Sequence, residues 1–298
     1  MNYKMTVLER IFNLTIIFIL LILCFAMLYP VWNSMVIAFN DGMDSLAGGL
    51  TFWPRKFTFS NIYFVLRDPR ILNAFFVSVA RTVTGTFVSI LVTSMMAFGL
   101  SKKELRFRNV YMAMAVFTMY FSGGLIPSYL IIRMLGLRNS FFVYILPGAL
   151  SVWNMIIFRS FFINTPASLE ESAAIDGAGR YRVFFTIVVP ISKPVFASLA
   201  LFTAVWQWNS WFDAAIYMTN QNLMPIQTIL RTILNTASLQ ELMSKIGGTA
   251  AIALQQSSVT SKAVTMAILV VATLPILAVY PFVQRYFVSG VMIGSLKE

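Results

Sequence analysis

Histidine is absent from the 298 residues, and cysteine occurs once, as Cys24 inside an apolar run. The first absence removes the commonest general base and transition-metal ligand, and with a lone cysteine a Ser-His-Asp triad, an HExxH zinc site and an intrachain Cys-rich metal site are excluded. The second excludes an internal disulfide framework. Charge is also scarce: Asp, Glu, Lys and Arg make up 11% of the chain, against roughly a quarter in soluble domains. Acids are the scarcer sign, 11 against 22 basic residues, which leaves a formal charge of +11. No stretch reads GxxxxGK[ST], so the chain has no phosphate loop of its own, and any ATP and Mg would sit on another subunit. In a soluble protein the excess of basic residues would suggest nucleic acid. Here 58% of residues are hydrophobic, and the bias of membrane proteins towards basic cytoplasmic loops accounts for the charge without a nucleic-acid partner.

A spanning helix needs about 20 mostly apolar residues. Six runs meet this, over about 11–38, 74–100, 110–132, 141–162, 195–218 and 263–287, so the expected fold is an all-α polytopic membrane protein with six transmembrane helices in one domain. Pro30 is a candidate kink in the first, and Gly123, Gly124 and Pro127 a candidate break in the third. The short loop after the second run carries Lys102, Lys103, Arg106 and Arg108 against Glu104, which places it in the cytoplasm. Alternation then puts residues 164–193 and both termini in the cytoplasm, the loops 40–72 and 219–262 outside, and 288–298 as a cytoplasmic tail. A short helix is expected at 226–234 within the second outer loop. Arg81, near the outer end of the second run, reads best as snorkelling to the interface, with a substrate or binding-protein contact as the alternative.

A polar, charged segment bounded on both sides by apolar runs reads EESAAIDGAGRYRVFFTIVVPISKP, from Glu170 to Pro194. Two adjacent acids (Glu170, Glu171) and Asp176 precede Arg180 and Arg182. Ala173, Ala174, Gly177, Ala178 and Gly179 supply faces without bulk, since residues four apart lie one above the other on a helix. The pattern predicts a short docking helix, a turn at Gly177–Gly179 and a second helix leading to Pro190. Ser168 and Glu171 have capping-box spacing, and Thr165–Pro166 reads as a helix start. Glu171, Ser172, Ala173, Gly177, Ile187, Val189 and Pro190 fall in the register of the EAA loop of ABC importer permeases, with Ser172 and Val189 as mild departures.

The resemblance extends along the chain. Tyr120–Phe162 resembles the LplC/YtcP subgroup of the carbohydrate (MalG-like) permeases of ABC importers. It implies the type I permease fold in a bacterial cytoplasmic membrane and a non-catalytic subunit for oligosaccharides, including uronate-containing ones such as alginate fragments. The implied partners are a second homologous permease, two ATP-binding subunits carrying ATP and Mg, an extracytoplasmic solute-binding protein and membrane lipid. Alternating access would be driven through Glu170, Glu171, Ser172, Ala173, Ala174, Asp176, Gly177, Arg180, Arg182 and Pro190. The tail resembles one that reaches between the ATPase subunits, with Gly290, Gly294 and Ser295 in close approach.

The fifth run contains TAVWQWNSWFDAAIY. Trp206, Trp208, Asn209, Trp211 and Asp213 combine aromatic faces with amide and carboxylate groups, a set suited to sugar rings and their hydroxyls. The alternative is an aromatic belt at the membrane interface, with Asp213 near the outer surface. An ion-coupled secondary transporter would need intramembrane acids, and Asp213 is the one candidate. A membrane-embedded enzyme lacks histidine and a paired-acid motif in the spans.

Overall fold

The computed structural model describes residues 6–49, 52–246 and 260–295. Among these residues fourteen helices follow in order: α1 Val7–Ala38, α2 Gly42–Leu46, α3 Ser60–Arg67, α4 Pro69–Ser101, α5 Arg108–Tyr120, α6 Leu125–Met134, α7 Val152–Ile163, α8 Ala167–Ile175, α9 Arg180–Val183, α10 Val189–Ile191, α11 Lys193–Asn209, α12 Phe212–Tyr217, α13 Ile226–Ile246 and α14 Ser261–Ser295. Short 3-10 turns cover Phe141–Tyr144 and Gln221–Leu223, and a π-type stretch joins α9 to α10. Among the described residues there is no strand, only an isolated antiparallel bridge between Asn40 and Phe57. Among the described residues three helical segments are long and apolar enough to cross a membrane, Val7–Ala38, Pro69–Ser101 and Ser261–Val279, and up to five if each of two bent pairs counts as one.

The chain divides into two compact units. The first is Met1–Pro69 with Thr232–Thr273. Here α1 begins with a reciprocal capping box, in which the Glu9 N–H donates to Thr6 and the Thr6 N–H to the Glu9 carboxylate. It then runs unbroken through Pro30, and its apolar side chains stay exposed until Val36–Ala38, as befits a helix whose solvent is lipid or another subunit. The loop expected at 40–72 is built rather than loose. Fully buried Asn40 donates to Asp44, Ser45 and the Asp41 carbonyl and accepts from the Lys56 N–H. Buried Asn61 donates to the carbonyls of Ala38 and Asn40. Arg55 closes on Asp44 at 3.0 Å. The loop expected at 219–262 differs in the same way: the helix begun at Ile226 continues past residue 234 to Ile246.

The second unit, Arg70–Arg231 with Leu274–Glu298, holds both candidate sites. Around one end of α4, Ala97, Phe98 and Leu100 pack with Ala115, Met155, Phe158, Phe162, Phe184 and Leu199. Around its other end, Val77 packs with Ile132, Val143–Ile145, Ala214 and Met218. The expected third span is broken: α5 and α6 meet at 112°, with Gly124 at φ +84°. The fourth expected span is corrected. Phe141–Tyr144 is a 3-10 turn, Pro147–Gly148 lie outside any helix, and α7 begins only at Val152. Its 12 residues rise about 18 Å, short of the ~30 Å of a bilayer core. The fifth is interrupted at Ser210, between α11 and α12. The tail set at 288–298 is helical to Ser295, since α14 does not stop at Phe287, and 296–298 lie outside the described residues. Gly290, Gly294 and Ser295 therefore lie on that helix.

Candidate functional site

The segment from Ala167 to Ile191 is a helix, a turn and a second helical stretch. Pro166 is the N-cap of α8 with no side-chain cap bond, so Ser168 falls within the first turn and the expected Ser168–Glu171 capping box does not form. The turn is a complete Schellman motif. Gly177 sits at φ +76°, its N–H donates to the Ala174 carbonyl, and the Ala178 N–H donates to the Ala173 carbonyl. Ala173 and Ala178 accordingly pack on the core, while Ala174 is exposed, which separates the two alanines expected on one docking face. Past the turn, Pro190 has no N–H to donate and crowds the carbonyl four residues back; it stands one residue beyond the wide turns of Phe184–Val188.

The charges of this segment divide. Glu171, Ser172, Asp176, Gly177 and Arg182 are exposed. Glu170 instead pairs with Lys102, and Arg180 lies 3.6 Å from Glu104. A recess of about 570 Å³ opens beside them, lined by Phe98, Lys102, Glu104, Arg180, Tyr181 and Phe184 among others.

The second constellation is where α11 ends. Arg81 of α4 does not snorkel: it is fully buried, at 0% exposure. Its guanidinium forks onto Asp213, at 2.6 and 3.2 Å, and donates to the Gln207 amide oxygen and the Ser210 carbonyl, each at 3.2 Å. It also lies 4.3 Å from the Tyr144 ring centroid. The break at Ser210 supplies that carbonyl. Asp213 further accepts from the Ser210 hydroxyl and the Ala214 N–H, so its carboxylate is committed to the fold and is not a free outer-surface charge. Gln207 fits only because residue 85 is glycine: a Cβ there would stand 2.5 Å from the Gln207 amide nitrogen.

The aromatic set of the fifth run is not brought together. Trp208 is buried edge-on against Phe75, Asn209 is exposed and donates to the Val205 carbonyl, and Trp211 lies under the Arg231 guanidinium at 3.9 Å. Trp206 is 58% exposed and faces a recess of about 380 Å³ with Ser89, Gly148, Ser151, Asn154 and Thr203. Asn154 donates to Thr203 at 3.1 Å across this wall. Sequence reasoning missed these polar residues. Asn154 had a signal, a lone amide in an apolar run. Ser89 and Thr203 had none, since a hydroxyl in a helix normally satisfies itself on its own backbone.

No family model matches the chain. It is 38% identical over 290 residues, 97% of this chain and 99% of the relative, to the polygalacturonan/rhamnogalacturonan transport system permease protein YtcP of Bacillus subtilis (strain 168). It is 40% identical over 245 residues, 82% of this chain and 81% of the relative, to protein LplC of the same organism. Among solved structures, a chain of a bacterial ABC transporter involved in the import of the acidic polysaccharide alginate superposes with a TM-score of 0.85 at 29% identity, covering 96% of this chain and 100% of that one. Full-length identity at this level, on an all-helical membrane architecture, places the chain in the family of ABC sugar-transport permeases.

Proposed function

We propose that this permease is one half of the membrane channel of a binding-protein-dependent importer for oligosaccharides with uronate residues. The observation that carries the reading is the full-length likeness to a polygalacturonan/rhamnogalacturonan permease, joined by the structural likeness to an alginate importer. As a permease subunit the chain is non-catalytic. Its partners in this reading are a second permease, two ATPase subunits that hold ATP and Mg, and an external binding protein. The setting is the inner membrane, with both termini in the cytoplasm.

The exposed face of α8 and its turn, with Glu171, Ser172, Ala174, Asp176, Gly177 and Arg182, suits a cleft on an ATPase subunit. Gly177 adds no bulk there, and among the described residues nothing lies within 4 Å of where a Cβ would stand. Closure of the ATPase dimer would move this segment and, through it, the helices that line the path. The basic loop after α4 supports a cytoplasmic position for both.

The Trp206 recess is the candidate for substrate contact in this chain. It offers the aromatic side chains of Trp206 and Phe202 and a rim of hydroxyl and amide groups, with no charged residue among the described residues that line it. Such a wall meets the C–H face and hydroxyls of a sugar ring and is indifferent to its carboxylate. Arg81 contributes no attraction for acids, because Asp213 neutralises it. Discrimination for uronates then belongs to the partner permease or the binding protein. Trp208, Asn209, Trp211 and Asp213 have structural or surface positions in this reading.

The test is reconstitution of the complex in vesicles with ATP inside and loaded binding protein outside. Uptake of a galacturonate trimer that requires ATP supports the proposal. Uptake that proceeds without ATP and follows an ion gradient would sink it.

A further inference from the structure

The two adjacent acids at the start of the coupling segment have opposite fates. Glu171 is exposed, whereas Glu170 turns inward to Lys102, and the two paired side chains keep only 23% and 15% of their exposure. Lys102 directly follows Ser101, the last residue of α4, and its ammonium lies 4.1 Å from the ring centroid of Phe98, one turn back. The pair thus fastens α8 to the end of α4. The same end of α4 is held from α7, where Arg159 donates to the Leu100 carbonyl at 2.9 Å. A second ion pair reaches from α9 to the loop after α4, Arg180 to Glu104, but both side chains are about 70% exposed, at 70% and 71%. Water and salt weaken an open pair of that kind, while a shielded pair holds, and removing one partner strands a charge. From this end α4 runs unbroken back to the level of Arg81, which is pinned to Asp213 and Ser210 at the break between α11 and α12. One rigid helix therefore joins the coupling segment to the interruption beside the candidate path.

We infer that Glu170 is a positioning residue rather than a docking one, and that the Lys102–Glu170 pair is the hook by which the coupling segment draws α4 with it. The inference rests on the reading under Proposed function. Its experiment uses the whole complex in vesicles, with the galacturonate trimer as probe, and reads sugar imported per ATP hydrolysed. Lys102→Glu and Glu170→Lys each lower that ratio at least tenfold, the double exchange returns it to within threefold of the unaltered complex, and Glu104→Gln stays within twofold. A double exchange no better than either single change, singles that keep the normal ratio, or a Glu104→Gln loss equal to theirs would overturn it. Should the charge reversals prevent co-purification of the ATPase, the uncharged pair Lys102→Met with Glu170→Gln decides. An assembled complex with a ratio down at least fivefold supports the hook, and a normal ratio refutes it. Absence of ATP-dependent uptake by the unaltered complex would overturn the functional reading itself, and this inference with it.

Discussion

Gly177 is held in the left-handed region at φ +76°, where a side chain costs about 1–2 kcal/mol, yet none of the described residues occupies the space a Cβ would enter. The two effects separate by substitution. Gly177→Ala carries the backbone strain alone, and should lower the thermal unfolding midpoint of the detergent-solubilised protein while retaining most of the uptake. Gly177→Arg carries the same strain plus bulk on the exposed face, and should reduce ATP-driven uptake at least tenfold beyond Gly177→Ala. Equal uptake by the two would remove the docking role. At Gly85 the situation is reversed, since a Cβ meets the buried Gln207 amide; Gly85→Ala should destabilise by about 1–3 kcal/mol through displacement of Gln207 from Arg81. Asp44 gives a pH signature. The Asn40 amide, and then Arg55, hold its carboxyl below the usual carboxylate range. A depressed folded value means the stabilisation is present above the unfolded value of about 4 and is lost as pH falls below it. Proteolytic cleavage within 52–68 should therefore rise as pH drops from 5 to 3, and Asp44→Asn should abolish that dependence by cleaving readily at both.

At the scale of elements, the interruption between α11 and α12 is stabilised by a single side chain from α4. Arg81→Met leaves Asp213 without its fork and the Ser210 carbonyl without its donor. It should cost about 3–5 kcal/mol, and Arg81→Met with Asp213→Asn less than that, measured by unfolding in detergent. A double variant as damaged as the single would show that the pair is not the reason. This network also marks what the sequence could and could not reveal. The runs of α1, α4 and α14 are plain because each exceeds a bilayer's length in apolar residues. The interruption of Phe141–Phe162 was signalled by Pro147–Gly148 but outweighed by continuous apolarity. Arg81 and Asp213 each looked unusual alone, and their partnership across more than a hundred residues has no local trace. The inward turn of Glu170 is likewise invisible in a helix whose neighbouring acid faces out, because only the fold brings Lys102 to it. The Schellman turn, by contrast, was legible from Gly177 amid small residues.

At the scale of the whole molecule, the recess beside Trp206 is, under the proposed function, a reader of rings rather than of charge. Trp206→Ala should lower import of a galacturonate trimer and of a neutral trimer alike, by about tenfold, since ~1.4 kcal/mol of lost stacking corresponds to that factor. A loss confined to the acidic sugar would contradict an uncharged recess. The family was legible from the coupling segment and its register. The recess was not, because its polar residues come from three separated stretches. The Arg81–Asp213 pair has one more consequence. A membrane potential does work only on charge that moves through it, about 2.3 kcal/mol per elementary charge per 100 mV. Arg81 and Asp213 cancel each other at contact distance, so a shift of α4 together with α12 carries no net charge through the field at that level. That pair should therefore add no voltage dependence to turnover with a neutral sugar, a point that comparison of polarised and depolarised vesicles would check.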